Sequence, residues 1–456
     1  MIRQPIISVL GHVDHGKCVT AETEVVLADG VIRPIKEIYD ELSSSMPMLD
    51  DKKGEILDLS KSNLRLLSLD ETGVVSPKKA SHLWKLKAKR VIEVSTKHGS
   101  KIKVTPEHPF FSIDSKGDVV KVRADRLSGG DFILVPSKIP SPRISLEGYK
   151  RLLLLKLAQS SDFLAFVTPE LSERLYGLGK NTDPSQLLTN QLYDCFRHNR
   201  FRVKDIVHLT KDRPNLSDVY DSIGTLKFST TKQRASHRGS LMELPKTEDQ
   251  FRDAFYVLGA LWGDGTGRSA ALSNTDEDLI VDYKRAMKNA FGLGINIIKQ
   301  RTTNSIVSSG WKTFSEFVCQ VFDYPRKNKS HSITIPELMQ RAPNKFLAHF
   351  ISGYFDTDGY VSESTGVEVL SMSSSMIKKL SIILQRFGCP VVLSKKRDAS
   401  RLKISGREYL NNFANNIGFH LNRKTVQLEK MLAKAATNRN FDILPVPGRT
   451  IRDLRV

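Results

Sequence analysis

The sequence predicts a multidomain protein: an all-β N-terminal part, then an α/β part built as a pseudo-two-fold internal repeat. Three observations predict this. After Cys18 the chain alternates and turns like β-structure, and a clear hairpin follows near residue 100. Two apolar stretches of helical spacing, FRDAFYVLGALWGD (251–264) and FLAHFISGYFDTD (346–358), both end in an acid and a glycine. The segments after them run in the same order. A length of 456 residues accommodates about two to four such domains.

Composition narrows the class. With 40% hydrophobic and 26% charged residues the chain reads as soluble and globular, and its net charge of +19 favours a polyanionic partner, most simply nucleic acid. Cys18, Cys195, Cys319 and Cys389 form no CxxC pair and no zinc spacing. That excludes a disulfide framework and fits a reducing cytoplasm. The opening MIRQPIISVLGH is too short an apolar run for a signal peptide, and no run approaches the ~20 residues that span a bilayer.

Residues 6–10 read as a buried strand feeding GHVDHGKC, Gly11 to Cys18. Gly11, Gly16 and Lys17 match a phosphate-binding loop, whose next residue is a Ser or Thr that holds Mg²⁺. Here it is a cysteine. No helix follows, and no NKxD-type base-recognition motif lies downstream. Gly11 to Lys17 is therefore half a nucleotide site, not expected to function alone. This string, with RQPIISVL before it, resembles the first motif of translational GTPases, in particular the archaeal-type initiation factor 2 family. The resemblance covers residues 1–17.

The β-rich part begins at Cys18. Glu24 to Leu27 reads as a strand, Ala28-Asp29-Gly30 as a turn, and Val31-Ile32 as the return. Residues 90–94 and 101–104 form the hairpin around Lys97-His98-Gly99. It runs into TPEHP, where Pro106 and Pro109 stiffen a segment carrying Thr105 and His108. A junction cysteine can attack the preceding carbonyl and turn an amide into a thioester, given a held thiol and a proton donor for the leaving nitrogen. His108 suits the donor, with Thr105 fixing the backbone. Cys18, the T-x-x-H segment and LSGGDFILVP (127–136) together resemble the N-terminal half of an intein's Hint-type splicing domain. The last stretch matches the strand that closes that half. The resemblance implies that Cys18, Thr105 and His108 carry the N–S acyl shift, and that residues 1–17 are a host-protein flank.

Residues 137–250 form a linker or DNA-contact region, with a helix near 152–157. Its basic loop, Lys227, Lys232, Arg234 and Arg238, either touches DNA or is a solvated linker.

In the α/β part, Gly259, Gly263, Gly353 and Thr357 give the two apolar helices small faces for close packing. Glycine otherwise costs a helix about 1 kcal/mol. Gly265 and Gly359 stop the helices. LSNTDEDLIVDYKRAMKNAFG and LSMSSSMIKKLSIILQRFG then each give a strand, a polar turn, an amphipathic helix and a glycine. The repeats span about 251–345 and 346–438. Packed together, the helices bring Asp264 and Asp358 side by side, an arrangement a Mg²⁺ ion would stabilise.

This pair is similar to the single-chain, two-motif LAGLIDADG homing endonucleases, which often reside within inteins. The resemblance implies αββαββα repeats and double-stranded DNA held against the sheets. It implies Asp264 and Asp358 as catalytic metal ligands, and a central lysine, for which KNKSHSITIPEL offers Lys329. Trp262 departs from the motif's first acid; Asp356 keeps it.

No His-Asn pair follows residue 250, and FDILPVPGRTIRDLRV (441–456) resembles the start of a C-terminal splicing half. The expectation is a truncated element that does not splice in cis but carries a monomeric nuclease. The alternatives are a catalytically decayed DNA-binding remnant and a GTP-binding translation factor.

Overall fold

A computed structural model describes residues 5–9, 18–51, 54–69, 74–114, 118–187, 192–211, 216–229, 241–267, 270–299, 305–308, 312–362 and 366–434. The N-terminal part is a seven-stranded antiparallel sheet. Its strand order is 92–95, 101–104, 19–20, 5–9, 82–87, 54–58, 48–51. Glu24–Val26 and Ile32–Pro34 pair as expected, as do Ile92–Ser95 and Lys101–Val104. The helix Ile35–Ser43 packs Ile35, Ile38 and Tyr39 with Leu57, Leu59 and Leu83 into a small core. Residues 127–136 differ from expectation. They form no ladder strand and touch Pro109–Ile113 through two bonds only, Ser112 Oγ to Phe132 O (2.6 Å) and Leu134 N to Phe111 O (2.8 Å). Gly130 at φ +102° turns the chain, and Pro136 has no N–H to give a ladder.

Residues 146–229 are more structured than a linker. The helix Leu146–Leu157, capped by Ser145, leads into a four-stranded antiparallel sheet ordered 200–202, 163–167, 223–228, 242–243. Thr168 caps and Pro169 opens a helix to Lys180, the N1 placement proline prefers. Of the basic loop, Lys227 is buried in a strand; Lys232, Arg234 and Arg238 lie outside the described residues.

The first motif helix, Glu248–Asp264, starts with a capping box of Thr247 and Gln250 and packs along the second motif helix, Asn344–Asp358. Glycines permit the crossing. A Cβ on Gly259 would strike the Phe350 carbonyl, and one on Gly353 the Tyr256 carbonyl. After the first helix come strand 272–274, helix 277–291 and strands 296–299 and 305–308. After the second come strands 359–362 and 366–371, helix 374–385 and strands 392–396 and 399–404. The sheets share one order, 272–274, 305–308, 296–299 in the first and 366–371, 399–404, 392–396 in the second, where 359–362 adds an edge. Gly265 and Gly359 end their helices at φ −77° and −81°, not in a left-handed cap. Glycine is needed there because a Cβ would meet the Leu261 and Phe355 carbonyls.

The β-rich part docks on the α/β part. Val31 faces the small core, while Ile32 is fully buried in the large one. Ile32 N donates to Gln340 Oε1 at 2.6 Å, Asp29 pairs with Arg341 at 2.9 Å, and Arg386 donates to Gly30 O. Gly30 sits at φ +90° with Gln340 and Pro142 against it, so no other residue fits well. The hairpin tip also caps the strand 392–396, with Leu393 N donating to His98 O at 2.7 Å. Among the described residues no helix is long and apolar enough to cross a membrane.

Candidate functional site

Two separate groups of side chains stand out. The first surrounds Cys18, which is 2% exposed and directly precedes the two-residue strand Val19–Thr20. Thr105 follows the strand 101–104, whose Val104 pairs with Val19, so the register sets Thr105 beside Cys18. The Cys18 amide donates to Thr105 Oγ1 at 3.0 Å, and Thr105 N donates to Cys18 O at 2.9 Å. The nitrogen held by Thr105 is that of the Lys17–Cys18 peptide bond.

His108 N donates to Thr105 O at 3.0 Å. Ala124 N bonds the His108 carbonyl and Asp125 N the Pro106 carbonyl, so the 3₁₀ turn Ala124–Arg126 pins this loop from outside. The His108 ring packs edge-on against Phe110, and its Nδ1 is buried with no partner. Thr105 Oγ1 holds the Cys18 nitrogen. Burial pushes the His108 imidazole down to about 4, so it is neutral at pH 7. Gly11, Gly16 and Lys17 lie outside the described residues.

The second group lies where the two motif helices end together. A Cβ on Gly263 would meet Thr357 Oγ1 and come within 3.4 Å of Asp358 Cγ. Asp264 and Asp358 are thereby neighbours. Burial raises the Asp264 carboxyl, against an Asn274 Nδ2 bond of 2.6 Å to its Oδ2. Burial raises Asp358, and Asp264 raises it further. Lys329, on a short helix before the second motif, donates Nζ to Gly263 O. Burial lowers its ammonium, with both acids opposing.

Lys424, which the sequence reading missed, is the counterpart. Its Nζ donates to Phe355 O (2.8 Å), Asp356 O (2.7 Å) and Gly359 O (2.6 Å), and burial lowers it to about 8. The repeat held the signal. Lys329 follows Asp264 by 65 residues and Lys424 follows Asp358 by 66.

Trp262 and Asp356 do related work with opposite polarity. Trp262 Nε1 donates to Thr334 O at 2.8 Å, just beyond the Lys329 helix. Asp356 accepts from His420 N (3.1 Å) and Leu421 N (3.4 Å), just before the Lys424 helix. Each ties the segment carrying a lysine to its motif helix. Burial raises Asp356 to about 6.

Two adjacent carboxylates, both raised and one of them by the other, are a donor set that fits a divalent cation. Among the described residues no cluster of three His, Cys, Asp or Glu offers an alternative.

A β-rich part with a buried cysteine held at its peptide nitrogen, joined to an α/β domain with a paired-acid centre, is the class of protein that fold and sites define. The family description for the intein splicing domain matches residues 25–444, and the chain belongs to that family. Elongation factor 2 of Methanopyrus kandleri is 31% identical over 461 aligned residues, 98% of this chain and 35% of that protein. A probable translation initiation factor IF-2 of Thermococcus kodakarensis is 30% identical over 447 residues, 97% of this chain and 36% of that one. The chain thus spans about a third of the length of the curated relatives it matches. Among solved structures, the TvoVMA intein is 30% identical over 26% of this chain and 70% of its own, with a TM-score of 0.25. The homing endonuclease I-DmoI, solved in complex with DNA and Mn, is 16% identical over 38% and 100%, with a TM-score of 0.29.

Proposed function

We propose that this intein carries a LAGLIDADG-type endonuclease that makes site-specific double-strand breaks in DNA. The observation that carries the reading is the pair Asp264 and Asp358 at the shared end of two helices, with a lysine behind each, Lys329 half-buried and Lys424 buried. Asp264 and Asp358 would hold Mg²⁺, which supplies charge neutralisation at a scissile phosphate and an acidified water. Lys329 and Lys424 keep the local field positive toward phosphate oxygens. The exposed Lys395, Lys396 and Arg397, at the edge of the second sheet, would bind the backbone beyond the cut.

At the other site Cys18 Sγ attacks the Lys17 carbonyl carbon; the C–N bond breaks, the thioester forms, and the Cys18 nitrogen takes the thiol's proton. Thr105 orients that nitrogen, and His108, neutral in its pocket, relays the proton. The host is a translation initiation factor 2 GTPase, interrupted after Lys17 within its P-loop, and the DNA target is the uninterrupted form of that gene. Gly11, Gly16 and Lys17 are then host residues, and GTP binding is a property of the assembled host alone.

The test is cleavage of a plasmid carrying the uninterrupted host site, with Mg²⁺, beside the D264N/D358N variant. Cutting lost in the variant supports the nuclease. Salt-dependent binding to that site without cutting supports the decayed, DNA-binding alternative.

A further inference from the structure

Pro5–Val9 precedes the junction at Cys18, yet it is the fourth of the seven strands in the N-terminal sheet. On one side it runs antiparallel to 82–87, from Pro5 opposite Lys87 to Val9 opposite Leu83. On the other, Ile6 lies opposite Thr20 and Ile7 opposite Val19. The helix Ile35–Ser43 lies alongside.

This strand joins two halves of the sheet. The strands 92–95, 101–104 and 19–20 stand on one side, and 82–87, 54–58 and 48–51 on the other. Among the described residues no other strand pairing connects them. With 5–9 taken away, 19–20 and 82–87 become two open edges about 10 Å apart, twice the spacing of paired strands. A gap of that width, lined on both sides by unpaired N–H and C=O groups, accepts an extended peptide.

The segment PIISV suits the gap. Pro5 takes the first position of the strand, where proline is tolerated, and Ile6, Ile7 and Val9 are β-branched. Holding by main-chain bonds asks little of the side chains, but it excludes proline from the middle of the strand. The same residues cannot serve two sheets at once. In a phosphate-binding fold the strand before the glycine loop leads into a helix and takes parallel neighbours. Here both neighbours are antiparallel.

We propose that the gap between 19–20 and 82–87 is a docking slot for an extended segment of the host chain. Residues 5–9 fill it, and the slot keeps the flank on the carrier, withheld from its own fold, after the bond to Cys18 is cut as well as before. The slot is a property of the sheet; that its occupant is a host segment rests on the function proposed above.

The test uses the whole chain and a fluorescein-labelled peptide of residues 1–17, read by anisotropy. Ile7→Pro breaks the ladder in mid-strand and is expected to empty the slot. That variant is expected to bind the peptide saturably, at least about tenfold tighter than wild type, whose slot is filled. A peptide carrying the same Ile7→Pro change is expected not to bind. Replacing residues 5–9 with a Gly/Ser stretch is expected to act like Ile7→Pro, and it controls for misfolding caused by the proline. In wild type, the amides of 6–8 are expected to exchange about 100-fold or more slowly than in an unfolded chain, together with those of 83–86. Failure of both variants to bind, binding by wild type as tight as by the variants, or unprotected amides at 6–8 overturns the slot. Thiol-induced cleavage at Cys18 reads the host assignment separately. The released peptide is expected to stay with the chain through gel filtration, and a peptide that elutes apart overturns retention. Absence of cleavage counts against the processing junction and leaves the binding result standing.

Discussion

The Cys18 amide and the Thr105 hydroxyl meet at 3.0 Å, across the strand pairing that sets Val104 opposite Val19. The hydroxyl thus holds the nitrogen that must leave in an N–S acyl shift. Thr105→Ala is expected to slow thiol-induced cleavage at Cys18 about fivefold, the worth of one hydrogen bond near 1 kcal/mol. Thr105→Ser is expected to retain most of the rate. Equal rates for wild type and Thr105→Ala, read from product bands against time, would remove Thr105 from the step.

His108 gives a pH signature. Burial holds its folded pKa near 4, below the 6.5 of a free imidazole. Between those values the unfolded chain binds the extra proton, so stability rises with pH. The contribution is fully present above 6.5 and is lost as pH falls toward 4. Urea midpoints at pH 5 and pH 7 are expected to differ less in His108→Gln than in wild type.

The acid pair has the opposite sign. Asp264 and Asp358 have raised folded values, so the folded state favours their protons. Stability from this source is present below the ordinary carboxylate range and is lost as pH rises through the folded values. At pH 7 the D264N/D358N variant is expected to melt above wild type without divalent cation, the gap closing toward pH 4. Mg²⁺ is expected to raise the wild-type midpoint and leave the variant unmoved. A variant that melts at or below wild type at pH 7 would mean that the pair is not strained.

Gly353 has the Tyr256 carbonyl against it and Ala260 N 3.0 Å from where a Cβ would sit. Gly353→Ala is expected to push the motif helices apart and to cost about 3 kcal/mol by chemical denaturation. An unchanged midpoint would show that the crossing can relax.

Lys329 and Lys424 separate by what they hold. Lys424→Met strips the donor from three carbonyls and is expected to cost about 3 kcal/mol; Lys329→Met strips one and is expected to cost about 1. Both are expected to lower DNA cleavage about 100-fold. Full cleavage by either variant would assign that lysine to structure alone.

Much of this was legible in the sequence because it depended on period and punctuation. The hairpin around Gly99, the small faces at Gly259 and Gly353, and the acids at the helix ends are local patterns. Lys424 was not, because its importance comes from three carbonyls that fold to meet it. Nor was the role of Trp262, which looked like a lapse in the motif and proves to be a donor where Asp356 is an acceptor. The fold of 146–229 escaped because its strands and helices are short and pair across long separations, as Phe163 does with Phe228. Residues 127–136 carried a strand's composition, but Gly130 and Pro136 denied it a ladder.

Val31 and Ile32 are neighbours that belong to different interiors. Anyone wishing to shrink this element to a bare splicing tool, by excising the middle of the chain, inherits that arrangement. Ile32 would be left facing water, and the Ile32 amide would lose Gln340. A polar residue at position 32 is then the natural companion to the excision. The passenger and its carrier have grown a common seam, and a deletion that respects only the chain's sequence boundaries would leave half of it open.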